Sequence, residues 1–463
     1  MKKNYLFIYK ILFQAGIFIS IFFSSCKKFV EVPLPNDQLS SEFVFTNDNS
    51  AIQSITGIYS EMMNNQSQFS DGLTSMFAGM AADELYYYTA GFRDEFVNNQ
   101  LSSINHSNLE SYFWNPCYRY IYAANKCIEE VEGSGKLSQP VKQMVLGEAK
   151  FIRAFCYFHL INLFGDVPLI LSTDYHTTQS IPRTSLDNVY NKIVEDLKDA
   201  QIKLQISYPT AERTRPNKFS ATGLLARVYL YKKDWSNAEI SANAIITAGI
   251  YSLNNNLNEV FLINSNETIF QLRPVNPTRN TWEGSYIIPS SNSSTPTFLI
   301  TGTLINNFET GDQRKVSWTK SRVFSGQTLY YPFKYKVRIG SVVTEYYVVL
   351  RLAEQYLIRA EARIQQNNIT GALSDLNVIR IRAGLPNTLA TSVNEIVAAI
   401  EQERRMELFA EWGHRWFDLK RTDRANTILG SLKPITWQPT DLLWPIPQGQ
   451  INLNSSLTQN PGY

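Results

Sequence analysis

From Asp48 onward, apolar residues recur mostly at three- and four-residue spacing. That period belongs to helices with one buried face. It predicts helices over about 48–65, 109–132, 141–164 and 186–205. On the second, Trp114, Tyr118, Ile121 and Asn125 share one face. The third carries EAKFIRAFCYFHLINLF and stops at Gly165, after which Pro168 forbids resumption. The fourth begins where Thr184 and Asp187 are spaced as a capping box.

Two later segments, 225–246 and 359–380, can be superposed. Ala226 and Ala238 are twelve positions apart, as are Ala360 and Ala372. Small residues at that separation let two antiparallel helices meet across a short turn. Leu225-Ala226-x₂-Tyr229 follows part of the tetratricopeptide pattern with Ala for Gly, and Arg153-Ala154-x₂-Tyr157 reads as a third first helix. The expected fold is mainly α, a tetratricopeptide-like helical repeat scaffold with a large irregular insertion of loops and short strands. The insertion is about 250–350, where ETIFQL, TFLI and VVTEYYVVL are strand-like runs among Asn, Pro, Gly and Ser. Residues 66–108 have the same irregular character. A rigid scaffold commonly displays recognition on such segments. We therefore expect one domain over 48–463, helical over 48–249, ligand-facing over 250–350 and helical again over 351–463.

The N-terminus differs. Lys2, Lys3 and Lys10 precede or flank an apolar run, Ile11–Phe23, that is shorter than the ~20 residues of a membrane-spanning helix. Phe23-Ser24-Ser25-Cys26 then loosely matches a bacterial lipobox. Residues 1–25 read as a lipoprotein signal peptide, Cys26 as the lipidated residue, and 26–47 as a tether. A single-pass anchor is the competing reading.

Composition narrows the function classes. Net charge is +2 and only 18% of residues are charged, with no basic block, which argues against nucleic acid. The chain holds 25 Tyr, 26 Phe and 8 Trp, a supply that suits stacking on uncharged polar ligands or an ordinary core. Cys117 and Cys127 would lie ~15 Å apart along one helix, too far for a disulfide. Together with Cys156 they read as free buried thiols.

A helix over 393–420 is predicted to open on a Ser392/Glu395 capping box. Its inward stripe passes from Ile396 and Ile400 to Glu403, Glu407 and Glu411. Buried carboxylates need cations, so these glutamates, with Arg404, Arg415 and Asp418, should form a Glu–Arg network. Glu411 and His414 have the Glu-x-x-His spacing of di-iron bundles, but those need a second such pair, and no other histidine here has one. No metal or other cofactor is expected. Motifs for metalloproteases, nucleotide loops and nucleophile elbows are missing from the sequence. Asp83-Glu84 beside Tyr86, Tyr87 and Tyr88 is a candidate sugar platform or, less simply, a carboxylate pair. Further candidate stacking residues are Trp282, Tyr286, Trp318, Tyr330 and Tyr331.

Several segments, in this order, carry a resemblance. They are the Cys26 signal, the Trp114–Tyr118–Asn125 helix, EAKFIRAFCYFHLINLFGDVPL, RPNKFSATGLLARVYLYKKDW, LRLAEQYLIRAEA, ERRMELFAEWGHRWFDLKR and LLWPIPQGQINLNSSLTQNPGY. The chain resembles the SusD/RagB surface lipoproteins of Bacteroidetes over nearly its whole length. The resemblance implies a lipid-anchored protein of the outer membrane, facing outward. It implies a partner, a TonB-dependent SusC-like channel, and a ligand, a glycan or other oligomeric nutrient, that is bound and passed on without catalysis. Family motifs assign no ligand contact. Two rival functions remain: a glycoside hydrolase on the same scaffold, and a helical-repeat scaffold for peptides.

Overall fold

Glycine and proline placement sets the long helices, and their apolar faces stack them. A computed structural model describes residues 45–64, 67–102 and 107–463. Cys26 and the leader lie outside the described residues. The chain opens with α1 (Asp48–Asn64), α2 (Leu73–Ala81), β1 (Leu85–Tyr87) and α3 (Asp94–Asn98). A short helical lead-in with one π turn, Glu110–Trp114, runs into α4 (Asn115–Gly133), and α5 (Gln139–Phe164) follows. Gly165 adopts φ +74 and ends α5 as the sequence predicts.

Helix α5 is the centre of the N-terminal part, buried on almost every side from Val145 to Phe164. It packs between α4 and α6 (Leu186–Lys203). Gly147 permits the second contact, because a Cβ there would sit 2.8 Å from Leu204 Cγ. The predicted Thr184/Asp187 capping box does not form. Thr184 lies in β3 (Arg183–Thr184), which pairs with β2 (Val167–Pro168), and Ser185 is the N-cap residue without a side-chain bond. The Leu186 N–H instead donates to Asp166 Oδ1 at 2.7 Å, a cap supplied from the preceding loop.

The two alanine-matched segments are helix hairpins. The first is α7 (Lys218–Tyr231) with α8 (Trp235–Ile246). The second, α11 (Leu352–Gln365) with α12 (Ile369–Arg382), follows the insertion. Ala226, Ala238, Ala360 and Ala372 are all completely buried. Each second helix starts on a short polar cap: Asp234 accepts the Asn237 N–H, and Asn368 accepts that of Gly371. Helix α8 packs on α11, so the hairpins stack, and α6 on α7 joins them to the N-terminal helices. The fold is a mainly helical, tetratricopeptide-like scaffold.

The insertion supplies β4 (Thr268–Leu272), α9 (Trp282–Ile287), β5 (Phe298–Ile300), α10 (Gln313–Trp318), β6 (Thr319–Phe324), β7 (Gln327–Pro332) and β8 (Tyr347–Arg351). The strands form antiparallel two-stranded ribbons, β1–β5, β4–β8 and β6–β7. The C-terminal part continues with α13 (Val393–Leu408), α14 (His414–Arg421) and α15 (Ala425–Leu432). One hydrophobic cluster runs from Phe45 to Leu457 and includes residues from all these regions. Cys117, Cys127 and Cys156 are free thiols within it.

Two expectations need correction here. Residues 66–108 are not uniformly irregular, since α2 is a helix buried at every position. The predicted continuous helix 393–420 is broken after Leu408. Ala410, Trp412 and Gly413 take φ of 51, 46 and 72 degrees. Tertiary bonds hold this break: the Trp412 indole donates to Val348 O at 2.7 Å and its N–H to Ser75 Oγ at 2.8 Å.

Candidate functional site

Ribbon β1–β5 carries the Tyr86–Tyr88 triplet outward. Tyr86 faces Leu299, Tyr87 faces Phe298, and the Tyr88 N–H extends the pairing to Thr297 O at 2.9 Å. The Tyr87 and Phe298 rings meet edge-on at 4.9 Å. The Arg93 guanidinium lies 4.2 Å above Tyr87 and 4.4 Å from the Phe92 ring, which fixes a cation between two aromatics. Tyr88 is 41% exposed and Phe92 36%, so this cluster offers aromatic surface to solvent. Tyr86 and Tyr87 are half-buried.

Hairpin β6–β7 closes one side. It turns on Ser325 and Gly326, both with positive φ, as tight hairpins require. Phe324 at its tip meets Tyr88 edge-on at 5.8 Å. Tyr330, opposite Ser321, is half-buried on the same hairpin. Arg322 holds the hairpin to the neighbouring serine-rich loop by donating to the carbonyls of Ser291, at 2.8 Å, and of Ser294. Thr297 links the ribbon to α9 by donating to Tyr286 O at 2.9 Å. The Tyr286 ring stacks on Trp282 at 6.0 Å. The result is a rim of aromatic rings with amides, hydroxyls and two arginines, on short elements braced by the helices. Such a surface can stack on the apolar faces of a polar ligand and bond its hydroxyls.

Not all candidate aromatics reach this rim. Trp318 is fully buried and donates to Leu257 O at 2.9 Å, so it is a core residue and not a ligand contact. Trp282 is 4% exposed, donates to Met63 O and is covered by Arg279, so it acts as the base under Tyr286. Tyr331 is buried beneath the hairpin. Phe92, Arg93, Phe298 and Phe324 were not singled out from sequence. The Ser-Gly dipeptide between two alternating runs was the available signal for the hairpin tip.

Asp83 and Glu84 lie under the ribbon and not on it. Arg415 donates to Asp83 at 2.8 and 3.1 Å, and Arg405 approaches it at 2.9 Å. Burial opposes ionisation of Asp83, but the Arg415 bonds and the Arg405 charge win and hold it below its usual range. Glu84 has less help. Burial pushes it up to about 7, although Arg405 pulls the other way.

The glutamate stripe of α13 meets cations from other elements. Arg351, at the end of β8, reaches Glu267 at 2.8 Å, Glu407 at 2.6 Å and Glu411 at 2.8 Å. Arg314 clasps Asp312 and donates to Glu403 at 2.6 Å and Glu407 at 3.1 Å. Arg382 joins Glu267 at 2.9 Å and Glu407, and Lys334 joins Glu411. Burial alone would raise the Glu407 carboxyl, yet Arg382, Arg351 and Arg314 together hold it far below the usual carboxylate range. Glu411 is therefore engaged by Arg351 and Lys334 and does not stand as a partner for the His414 ring. Arg404 belongs to a second cluster, with Asp418 bound by Arg404 at 2.9 Å and by Arg421 at 2.7 Å. Arg415 belongs to a third, around Asp83.

Comparison with known proteins agrees with this architecture. Residues 28–230 match the family described as "Starch-binding associating with outer membrane", and residues 315–463 match the SusD family. Between them the two matches span most of the chain, which belongs to the SusD/RagB family. A SusD-like protein P25 of Formosa agariphila is 24% identical, aligned over 96% of this chain and 98% of that protein. SusD-like protein P2 of the same organism is 27% identical over 84% of this chain and 88% of its own. A SusD superfamily protein from Bacteroides vulgatus superposes with TM-score 0.79 at 19% identity, over 90% of this chain and all of that one. A laminarin-binding SusD-like protein superposes with TM-score 0.75 at 22% identity, with the same coverage. Among the described residues no helix is long and apolar enough to cross a membrane.

Proposed function

We propose that this protein is a lipid-anchored nutrient-binding protein of the outer membrane. It captures glycans or other oligomeric nutrients on the rim formed by β1–β5, hairpin β6–β7 and α9, and delivers them to a TonB-dependent SusC-like channel. The carrying observation is the half-exposed set of Tyr87, Tyr88, Phe92 and Phe324, fixed by Arg93 and Arg322 on short braced elements. Preformed aromatic surface lowers the ordering cost of binding. The family description, which names starch binding and outer-membrane association, and the laminarin-binding neighbour support a glycan as cargo. The leader over 1–25, anchor at Cys26 and tether beyond it belong to the same reading, as does the outward orientation, with residues 48–463 acting as one domain.

We read the protein as a binder and not a hydrolase. Asp83 and Glu84, the carboxylate pair beside the tyrosine triplet, are buried beneath the rim, and Asp83 is engaged by two arginines. Affinity electrophoresis in gels containing laminarin or starch tests the binding. Retardation of the parent that is lost in Tyr88→Ala and Phe92→Ala supports the site. Unchanged mobility on a full panel of polysaccharides removes it. Reducing ends released in proportion to added protein would favour the hydrolase. Metabolic labelling with a fatty acid tests the anchor, which fails if a Cys26→Ala chain still takes up label.

A further inference from the structure

A second cavity, remote in sequence from the aromatic rim, lies where the end of α5, the β2–β3 ribbon, α14 and the C-terminal segment converge. Its volume is 460 Å³, within the range of roughly 300–1,000 Å³ typical of small-molecule sites. It shares no lining residue with the rim described above.

Most buried arginines of this protein are tied to carboxylates, but two of the three cations lining this cavity are not. Lys420 lines the cavity, and its Nζ donates to one backbone carbonyl, Asn162 O, at 2.5 Å. No carboxylate pairs with it among the described residues. An ammonium has three donors, so two remain for a ligand. Burial alone brings the Lys420 amine down to about 7. Arg183 lines the same cavity and also donates only to neutral acceptors: Asp166 O at 2.8 Å, Thr458 O at 3.0 Å and Asn460 Oδ1 at 2.5 Å. The Tyr231 hydroxyl, in a buried residue of the same wall, has no hydrogen-bond partner among the described residues. Against Lys420 and Arg183 the wall sets one carboxylate, Asp166, while its third cation, Arg421, is already paired with Glu361 and Asp418. A bound anion would hold the Lys420 amine in its charged form, and the surplus is then one positive charge, which suits a monoanion better than a doubly charged phosphate. The remaining lining combines tyrosine rings, Tyr190 and Tyr231, with apolar Leu443 and Pro461. That mixture suits a ring with apolar faces and hydroxyls more than a bare inorganic ion.

We propose that this cavity binds a small hydroxylated carboxylate, of the uronic acid class, with Lys420 and Arg183 holding the carboxylate. The site operates independently of the aromatic rim, so it stands whether or not the rim binds neutral glycans.

Isothermal titration of the mature chain with glucuronate tests it, with glucose and inorganic phosphate as comparison ligands. Glucuronate should bind and glucose should not. Lys420→Met should weaken glucuronate by about tenfold, the loss of one charged hydrogen bond. Lys420→Arg should retain most of the binding, and Tyr88→Ala should leave it unchanged. Melting curves establish that each variant is folded. If Lys420→Met fails to fold, Arg183→Gln replaces it, with the same expected loss. The proposal is overturned if glucuronate does not bind the parent, if glucose or phosphate binds as well, or if folded Lys420→Met and Arg183→Gln bind glucuronate like the parent.

Discussion

Glu407→Gln is the sharpest test of the buried charge lattice. The substitution keeps the shape and removes one negative charge at a fully buried position. Three arginines lose a charged acceptor there: Arg351 at 2.6 Å, Arg314 at 3.1 Å, and Arg382. Hydrogen bonds to charged groups contribute ~1.5–3 kcal/mol each, so simple addition gives ~5–9 kcal/mol. Addition overstates the loss, because every arginine keeps another carboxylate. Arg351 retains Glu267 and Glu411, Arg314 retains Asp312 and Glu403, and Arg382 retains Glu267. The better figure is the ~3–5 kcal/mol typical of breaking one buried ion pair. An unfolding entropy of about 2.1 cal/mol/K per residue over roughly 410 residues makes each kcal/mol worth about 1 °C. Scanning calorimetry should therefore show a midpoint lower by about 3–5 °C, with native circular dichroism retained below it. A variant that melts within about 1 °C of the parent would refute the claim that this carboxylate is needed to balance the interior.

Other consequences are equally open to measurement. Burial first, then the charge of Glu411, raises Glu283 to about 8. Between its unfolded value and 8 the folded state thus holds the extra proton, and this group's contribution to stability is lost as pH rises. The melting difference between parent and Glu283→Gln should shift in the parent's favour from pH 8 to pH 5, and a difference independent of pH contradicts the assignment. Arg227 and Glu354 join α7 to α11 through bonds of 2.6 and 2.7 Å, both side chains being buried. Arg227→Met alone should cost ~3–5 kcal/mol in urea unfolding, whereas Arg227→Met with Glu354→Leu should recover most of it; equal losses in both would contradict a pairwise origin. On the rim, Phe324→Ala should weaken laminarin retention by several-fold, about the ~0.5–1.5 kcal/mol of one aromatic contact, with no change in melting. A stability loss matching the binding loss would make Phe324 a packing residue only.

The parts of the fold legible in the sequence are those set by local chemistry. Paired alanines gave the hairpins, Gly165 the end of α5, and Ser392 with Glu395 the cap of α13, which is present as a full capping box. Helix α2 was hidden because LTSMFAGMA is buried on all sides, and a helix without a wet face has no amphipathic period. The break after Leu408 was hidden because bonds from Ser75 and Val348 hold it, far away in sequence. The same distance explains the charge lattice. The glutamate stripe announces a need for cations, but Arg314, Arg351 and Arg382 sit in segments whose approach no spacing rule reveals. At the rim, the tyrosine triplet was visible as aromatic density, and exposure then separated Tyr88 from Trp318. Nothing local distinguishes a tryptophan that will stack on a ligand from one that will donate to Leu257 O.

The lattice around Glu407 also makes the molecule a check on its own completeness. Its members are drawn from positions as far apart as Glu267 and Glu411, so a product truncated before the last of them leaves Lys334 without its carboxylate and Arg351 short of one. Such a chain seals its interior poorly, because an ammonium without its counterion stays in water. Partial translation or clipping products would thus remain open to proteases, and only the finished polypeptide would pass as resistant.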